Sequence, residues 1–170
     1  MAIAVARGTI LHRDGVGSTW SEIPSGTTND LSGIWGSGNS DAWAVGIGTI
    51  MHWDGSTWTK SETKNNFCSA GGSGKNDVWA VGSAGTIQHW DGSTWSIGPS
   101  GTADYLIGVW VSGKSEAWAV GEKGTILHWD GTTWSCVSSG TAYDLLGVWG
   151  NETGVWAVGG NGTLLRDIPR

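Results

Sequence analysis

Charged residues, proline, cysteine and phenylalanine are all scarce in this sequence. Only 14% of its 170 residues are Asp, Glu, Lys or Arg, and nine basic side chains against fifteen acidic ones leave a net charge of −6. With no basic cluster, the chain lacks the concentrated Lys/Arg surface that nucleic-acid phosphates require. The two cysteines, Cys68 and Cys136, form no Cys-x-x-Cys pair, so neither a disulfide framework nor a structural zinc site is expected. No apolar run approaches the roughly 18 residues of a membrane-spanning helix. The opening Met1 to Gly8 also lacks the charged and apolar regions of a signal peptide. As written, the chain reads as soluble and cytoplasmic, or as secreted if a leader has been removed. Heptads rich in Ala, Glu, Lys and Leu are missing, as is a strict Gly at every third place, which excludes a coiled coil and collagen. Disorder is excluded by the abundant aromatics and the shortage of charge.

What is present is glycine and tryptophan, 30 and 14 residues respectively beside a single Phe, and both follow an internal repeat. Trp-Ala-Val-Gly begins at Trp43, Trp79, Trp118 and Trp156, at intervals of 36, 39 and 38 residues, with a degenerate copy at Ala4-Val5-Ala6. Behind it come Gly-Thr-(Ile/Leu), from Gly8, Gly48, Gly85, Gly124 and Gly162, and His-x-Asp-Gly, from His12, His52, His89 and His128. A Thr-Trp pair follows, ending at Trp20, Trp58, Trp95 and Trp134. Ahead of Trp-Ala-Val-Gly stands Leu-x-Gly-(Ile/Val)-Trp, with Trp35, Trp110 and Trp149. Together with Trp53, Trp90 and Trp129, which follow the histidines, these slots hold all fourteen tryptophans in phase.

The segments are short, β-branched or aromatic, and bounded by Gly, Asn, Asp or Ser, the pattern of strands and tight turns. Asp-Gly before Ser or Thr and Trp reads as a hairpin in which Gly takes positive φ. One unit is therefore expected to be a four-stranded antiparallel meander: A over Leu-x-Gly-Val-Trp, B over Val-Trp-Ala-Val-Gly, C over Gly-Thr-Ile-Leu-His-Trp, and D from Thr-Trp. The turn glycines Gly46, Gly82, Gly121 and Gly159 are expected where the backbone conformation is forbidden to other residues. Repeats of this length and strand content predict an all-β fold, a β-propeller of about four to five four-stranded blades of roughly 38 residues each. The expected organisation is one domain over 1–170, with partial units at 1–30 and 145–170 and full repeats at 31–66, 67–104 and 105–144. Eighteen strands, or four and a half blades, leave ring closure to strand exchange, to oligomerisation or to the rest of a longer propeller of which this is a fragment, and a homo-oligomer is the expectation.

The motifs Leu-x-Gly-Val-Trp-Gly, Trp-Ala-Val-Gly and Gly-Thr-Ile-Leu-His-Trp-Asp-Gly-x-x-Trp resemble the short bacterial propeller repeats related to the BNR/Asp-box and photosystem II assembly-factor-like propellers. Asp54-Gly55-Ser56-Thr57-Trp58 looks like a shortened Asp-box whose Asp braces the C to D hairpin. The resemblance covers essentially the whole chain. It implies the fold and leaves the function open, because such propellers serve as lectins, enzymes and assembly scaffolds.

Gly108 to Ser115 satisfies G-x-x-x-x-G-K-[ST], yet the following Glu116 to Gly121 is a B strand where a P-loop needs a helix. The histidines, one per unit, are read as structural hydrogen-bonding residues between blades rather than converging metal ligands, and Asp14, Asp54, Asp91 and Asp130 as turn braces. No metal, cofactor or catalytic set is expected. The remaining candidates for ligand binding are Trp53, Trp90 and Trp129, with Gln88 at a variable strand C position, as platforms for the apolar face of a sugar. In the end units Arg13, and Arg166 or Asp167, replace this Trp. Gly71 stands where Trp35, Trp110 and Trp149 stand, with Phe67 replacing the Leu of the other units. A missing indole there predicts a notch near Cys68 and Ser69. The reading that follows is a non-enzymatic recognition module binding glycans through repeated weak sites, with a protein-binding or assembly scaffold as the alternative.

Overall fold

The computed structural model describes residues 2–13, 17–151 and 153–166. Among them are sixteen strands and three short 3-10 turns. Strands β1 (Ala2–Ala6), β2 (Thr9–Arg13) and β3 (Ser21–Ile23) form the first sheet. A six-stranded sheet follows, with β4 (Leu31–Gly38), β5 (Asp41–Trp53), β6 (Trp58–Gly74), β7 (Asp77–Gly82), β8 (Ile87–Trp90) and β9 (Trp95–Gly98). Next comes a four-stranded sheet of β10 (Leu106–Gly113), β11 (Glu116–Gly121), β12 (Ile126–Trp129) and β13 (Trp134–Cys136). The last sheet holds β14 (Leu145–Asn151), β15 (Gly154–Gly159) and β16 (Leu164–Arg166). Every pairing is antiparallel between chain neighbours, and the register puts equivalent tryptophans opposite one another, Trp35 on Trp43, Trp110 on Trp118 and Trp149 on Trp156.

Sheets of three, six, four and three strands replace the uniform four-stranded meanders expected from the repeat. The six-stranded sheet arises because β5 and β6 each run through two strand positions. In β5 the connection after Val45 is one residue shorter than in later repeats, so B and C merge around Gly48, which takes φ +62°. The run still doubles back: the rings of Trp43 and His52 stack with centroids 4.1 Å apart, whereas nine extended residues would separate them by roughly 30 Å. In β6 the link through Lys64, Asn65 and Asn66 carries no Gly or Pro. Elsewhere the same link is broken by Ser-Gly at Ser25, Ser100 and Ser139, whose hydroxyls bond the Thr carbonyls two residues on at 3.1 Å.

The two halves of the six-stranded sheet face each other, because Trp43, Val45 and Ile50 pack on Phe67, Ala70, Val78 and Ala80. The chain is thus five stacked layers with four apolar seams. Ile10 meets Leu31, Ala44 and Met51 in the first seam. Trp79, Val81 and Ile87 meet Val109, Ala117, Ala119 and Leu127 in the third. Trp118, Val120 and Ile126 meet Leu145, Val155 and Ala157 in the last. Alternate residues of each central strand serve opposite seams, which is why Ala42 to Val45, Val78 to Val81 and Ala117 to Val120 are buried without a break.

Two local expectations change. Gly82, Gly121 and Gly159 have φ of −177°, −167° and −163°, ordinary extended backbone. They are glycines for lack of space: a Cβ at Gly46, Gly82, Gly121 or Gly159 would overlap the carbonyl oxygen of Asp30, Asn66, Tyr105 or Asp144. The left-handed region falls in the turn that follows, at Ala84, Lys123 and Asn161, with φ of 52°, 54° and 53°. Each described histidine of the inner repeats bonds an acid of its own layer rather than bridging two. The hairpin glycines Gly55, Gly92 and Gly131 do take positive φ, 99°, 101° and 96°. Asp54, Asp91 and Asp130 brace these turns, each accepting backbone N–H bonds from the residues two and three ahead at 2.8–2.9 Å. The corresponding turn at Asp14, and Asp167, lie outside the described residues.

Candidate functional site

The repeat builds one side-chain constellation three times. An acid at the start of strand B, the first Trp of that strand and the His of strand C come together as Asp41/Trp43/His52, Asp77/Trp79/His89 and Glu116/Trp118/His128. The His ring stacks on the indole at 4.1, 4.1 and 4.2 Å, and its Nε2 lies 2.9, 2.8 and 3.3 Å from the carboxylate. Glu116, a methylene longer than Asp, also accepts the Trp118 indole N–H at 2.8 Å. Burial pushes the Asp77 carboxyl upward, but hydrogen bonds from His89 and Ser73 outweigh it and hold the group below its usual range. These carboxylates are spent on their own histidines. Among the described residues no group of three His, Cys, Asp or Glu is placed to hold a metal ion.

Trp53, Trp90 and Trp129 sit on three different layers and do not converge. Their indole N–H groups donate to the carbonyls of Asn39, Lys75 and Lys114 at 3.2, 3.1 and 2.9 Å. Each also packs on the Thr-Trp tryptophan of its own hairpin, with centroids 5.6–5.9 Å apart. Trp90 and Trp129 reach back over the preceding layer, lying 5.0 Å from Trp43 and Trp79. Trp95 and Trp134 close the same indoles edge-on at 5.2 Å. All three platform candidates are half-buried, with one ring face engaged in these contacts. Gln88 is buried in β8 between Ala80 and Ile97.

Gly71 is buried in β6, and a Cβ there would stand 3.1 Å from the Val109 carbonyl oxygen. The next layer stands close against it, with the Val109 side chain 3.3 Å from the same Cβ position. Trp35 lies over Gly72, 2.9 Å from where its Cβ would be, and Trp110 lies over Gly150, 2.7 Å from its Cβ position. Where Gly71 supplies no indole, the facing position in the next layer is Val111, which is buried. Cys68 next to this region lies with its Sγ 3.2 Å from Tyr105 Oη, and that contact with partial burial pushes the tyrosine pKa up to about 12. Both cysteines are free thiols. The P-loop-like stretch Gly108 to Ser115 runs from strand β10 through a turn and leads into strand β11, with no helix after it.

One feature absent from the sequence reading is a cleft of about 350 Å³ between β9 and the β12–β13 hairpin. It is lined by Trp79, Trp129, Trp134, Pro99, Gly98 and His89, with Ser96, Thr132 and Thr133 at its rim. Its volume lies at the lower end of small-ligand sites, and its walls are mainly ring carbon. Of the sequence candidates only Trp129 belongs to it. The signal available in the sequence was Ile97-Gly98-Pro99, where the first complete repeat has Lys60-Ser61-Glu62.

No family model matches the chain, and a search of curated proteins finds no match. Solved structures do resemble it. YCF48 bound to D1 peptide superposes with a TM-score of 0.70 at 21% identity, over 94% of this chain and 57% of that one. The WD40 repeats of RRP9 give 0.80 at 9% identity, over 96% of this chain and 57% of theirs. Catalytically inactive virginiamycin B lyase from Staphylococcus aureus, solved with quinupristin, gives 0.75 at 13% identity, over 98% of this chain and 69% of that one. The chain spans little more than half the length of the first two. These likenesses give the fold, all-β and propeller-like.

Proposed function

We propose that this chain is a non-enzymatic propeller segment that recognises protein, holding an apolar side chain of an extended partner segment in the cleft between β9 and the β12–β13 hairpin. Its five layers are read as blades, full over 31–66, 67–104 and 105–144 and partial at either end. The observation that carries the reading is the cleft itself: Pro99 and three indoles supply a mainly apolar wall. Such a wall suits a leucine, proline or aromatic anchor better than a sugar, whose hydroxyls need several convergent polar groups. The acid excess of the chain favours a partner with basic flanks. The similarity to YCF48, which is solved with a bound peptide, supports the same direction.

Gly98 gives a clean test, since nothing lies within 4 Å of a Cβ built there. Gly98→Leu adds an apolar side chain at the cleft lining from a position where its Cβ meets nothing. A phage-displayed random peptide library is panned with the purified chain, and the parent is applied in parallel to a printed glycan array. The proposal expects selected peptides with an apolar anchor whose binding Gly98→Leu weakens at least tenfold. Peptides indifferent to Gly98→Leu, or competable glycan binding without peptide binding, overturn it. The second outcome would restore Trp53, Trp90 and Trp129 as sugar platforms.

A further inference from the structure

The cleft between β9 and the β12–β13 hairpin lies where one layer drops a side chain. Ile23, Ser61 and Val137 stand opposite Ile10, Ile50 and Ile126, whereas Gly98 stands opposite Ile87. The shape that results discriminates between the ways a protein can grip a peptide. An added β-strand needs a long open edge, but β9 has four residues and is followed by Pro99, and β13 has three. A docked helix spreads its anchors from i to i+7, along about 10 Å. A cleft of about 350 Å³ has the size of a small-ligand pocket instead. A polyproline II segment needs only flat aromatic walls for a pyrrolidine ring, and Trp79, Trp129 and Trp134 provide them beside Pro99.

Hydrogen bonding points the same way. The Ser96 hydroxyl at the rim donates to the His89 carbonyl at 3.4 Å, and the Thr132 hydroxyl donates to Asp130 at 2.7 Å. The N–H groups of Thr132 and Thr133 go to Asp130 as well. An entering backbone N–H would give up water for little in return, and proline is the residue that brings none. Among the lining indoles, Trp129 gives its N–H to the Lys114 carbonyl, and the N–H of Trp79 lies beside the Asp77 carboxylate and helps to hold its pKa down. The N–H of Trp134 is buried and has no acceptor among the described residues. Carbonyls of a polyproline II segment make no internal hydrogen bonds, so they complement such a donor. No Lys or Arg lines the cleft, and the exposed carboxylate of Asp130 stands in the hairpin at its rim, which favours a basic flank on the ligand.

Resting on the reading of this cleft as protein-recognising, we propose that its ligand is a proline-rich segment of a separate protein, in the polyproline II conformation and flanked by Lys or Arg. A pyrrolidine ring stacks on the indoles, and a neighbouring carbonyl accepts the Trp134 N–H. The chain's own prolines, Pro24, Pro99 and Pro169, are isolated, so a second copy supplies no such segment.

The test titrates labelled peptides into the full chain by fluorescence anisotropy. One carries Pro-Pro-Ala-Pro-Pro-Ala-Pro-Pro between two Arg ends, a second has Leu for every Pro, and a third keeps the prolines between Glu ends. The expected result is saturable binding of the first, at least tenfold weaker binding of the leucine peptide and at least threefold weaker binding with Glu ends. Trp134→Phe keeps an aromatic ring and removes the N–H, and should weaken the first peptide at least threefold with the circular dichroism spectrum unchanged. A leucine peptide that binds as tightly as the proline peptide, and loses affinity in Gly98→Leu, keeps the protein-recognising cleft and overturns the polyproline ligand. No binding of the proline peptide also overturns it, and the library-selected peptides then decide the broader reading separately. Glu ends that bind equally well, or a folded Trp134→Phe chain that binds like its parent, overturn it too. If Trp134→Phe does not fold, the comparison of the three peptides on the parent chain decides.

Discussion

Trp110 and Gly150 offer a quantitative test of how the indole of one layer fits the glycine of the next, because the equivalent positions one layer earlier are Gly71 and Val111. Trp110→Gly removes a half-buried indole and puts glycine within a strand. Full truncation of a buried Trp costs about 3–5 kcal/mol, so half-burial leaves about 2–3, and strand glycine adds about 1. Gly150→Val alone drives a branched side chain against a ring already 2.7 Å from the Cβ position. The indole is rigid and held in a seam, so overpacking of about 1–3 kcal/mol is expected. If the sites were independent, the double variant would lose the sum. Instead valine occupies the space the indole leaves, and the pair should lose at least about 1.5 kcal/mol less than that sum, a coupling in the range found for side chains in contact. The assay is urea unfolding of the parent, both single variants and the double, followed by tryptophan emission and far-ultraviolet dichroism. Losses that add to within about 0.5 kcal/mol would refute the idea that the two positions fit each other.

Trp79→Ala, at the centre of the third seam and 3% exposed, should cost about 3–5 kcal/mol, read from the urea midpoint. Gly121→Ala should lower the thermal midpoint sharply, since its Cβ overlaps the Tyr105 carbonyl oxygen whatever its φ; a neutral effect would contradict the steric reading. Ala84→Gly relieves a left-handed backbone at φ 52° and should stabilise by about 0.5–1 kcal/mol. Turn hydrogen bonds hold Asp91 and Asp130 near a pKa of about 2 against an ordinary 3.8. Depressed carboxyls contribute stability above their unfolded pKa and lose it as pH falls through the folded one. Thermal midpoints should therefore drop between pH 4 and pH 2, and Asp91→Asn with Asp130→Asn should flatten that slope.

The repeat, the Asp-Gly turns and the antiparallel order were legible because each rests on neighbours a few residues apart. Fusion of two units into one six-stranded sheet was also written locally, in the shortened Ile47-Gly48 connection and the Gly- and Pro-free Lys64 to Asn66 link. The turn glycines misled because a glycine demanded by a nearby carbonyl looks in sequence like one demanded by positive φ. What stands against Gly71 was not legible, because Val109 lies 38 positions away on the facing layer and no local pattern pairs the two. The cleft was hidden because it is a gap between Pro99 and Trp134, set by how two layers stack rather than by any contiguous motif. The histidines were read correctly as hydrogen-bonded, but their acids stand about eleven residues upstream in the same layer.

The most direct measurement is the affinity of a library-selected peptide for the parent chain and for Gly98→Leu, determined by isothermal titration beside a glycan array run on the same preparation. Saturable peptide binding that Gly98→Leu weakens at least tenfold, with no competable glycan signal, is the predicted result. Equal affinity for both chains, or glycan binding in place of peptide binding, would contradict a protein-recognising cleft.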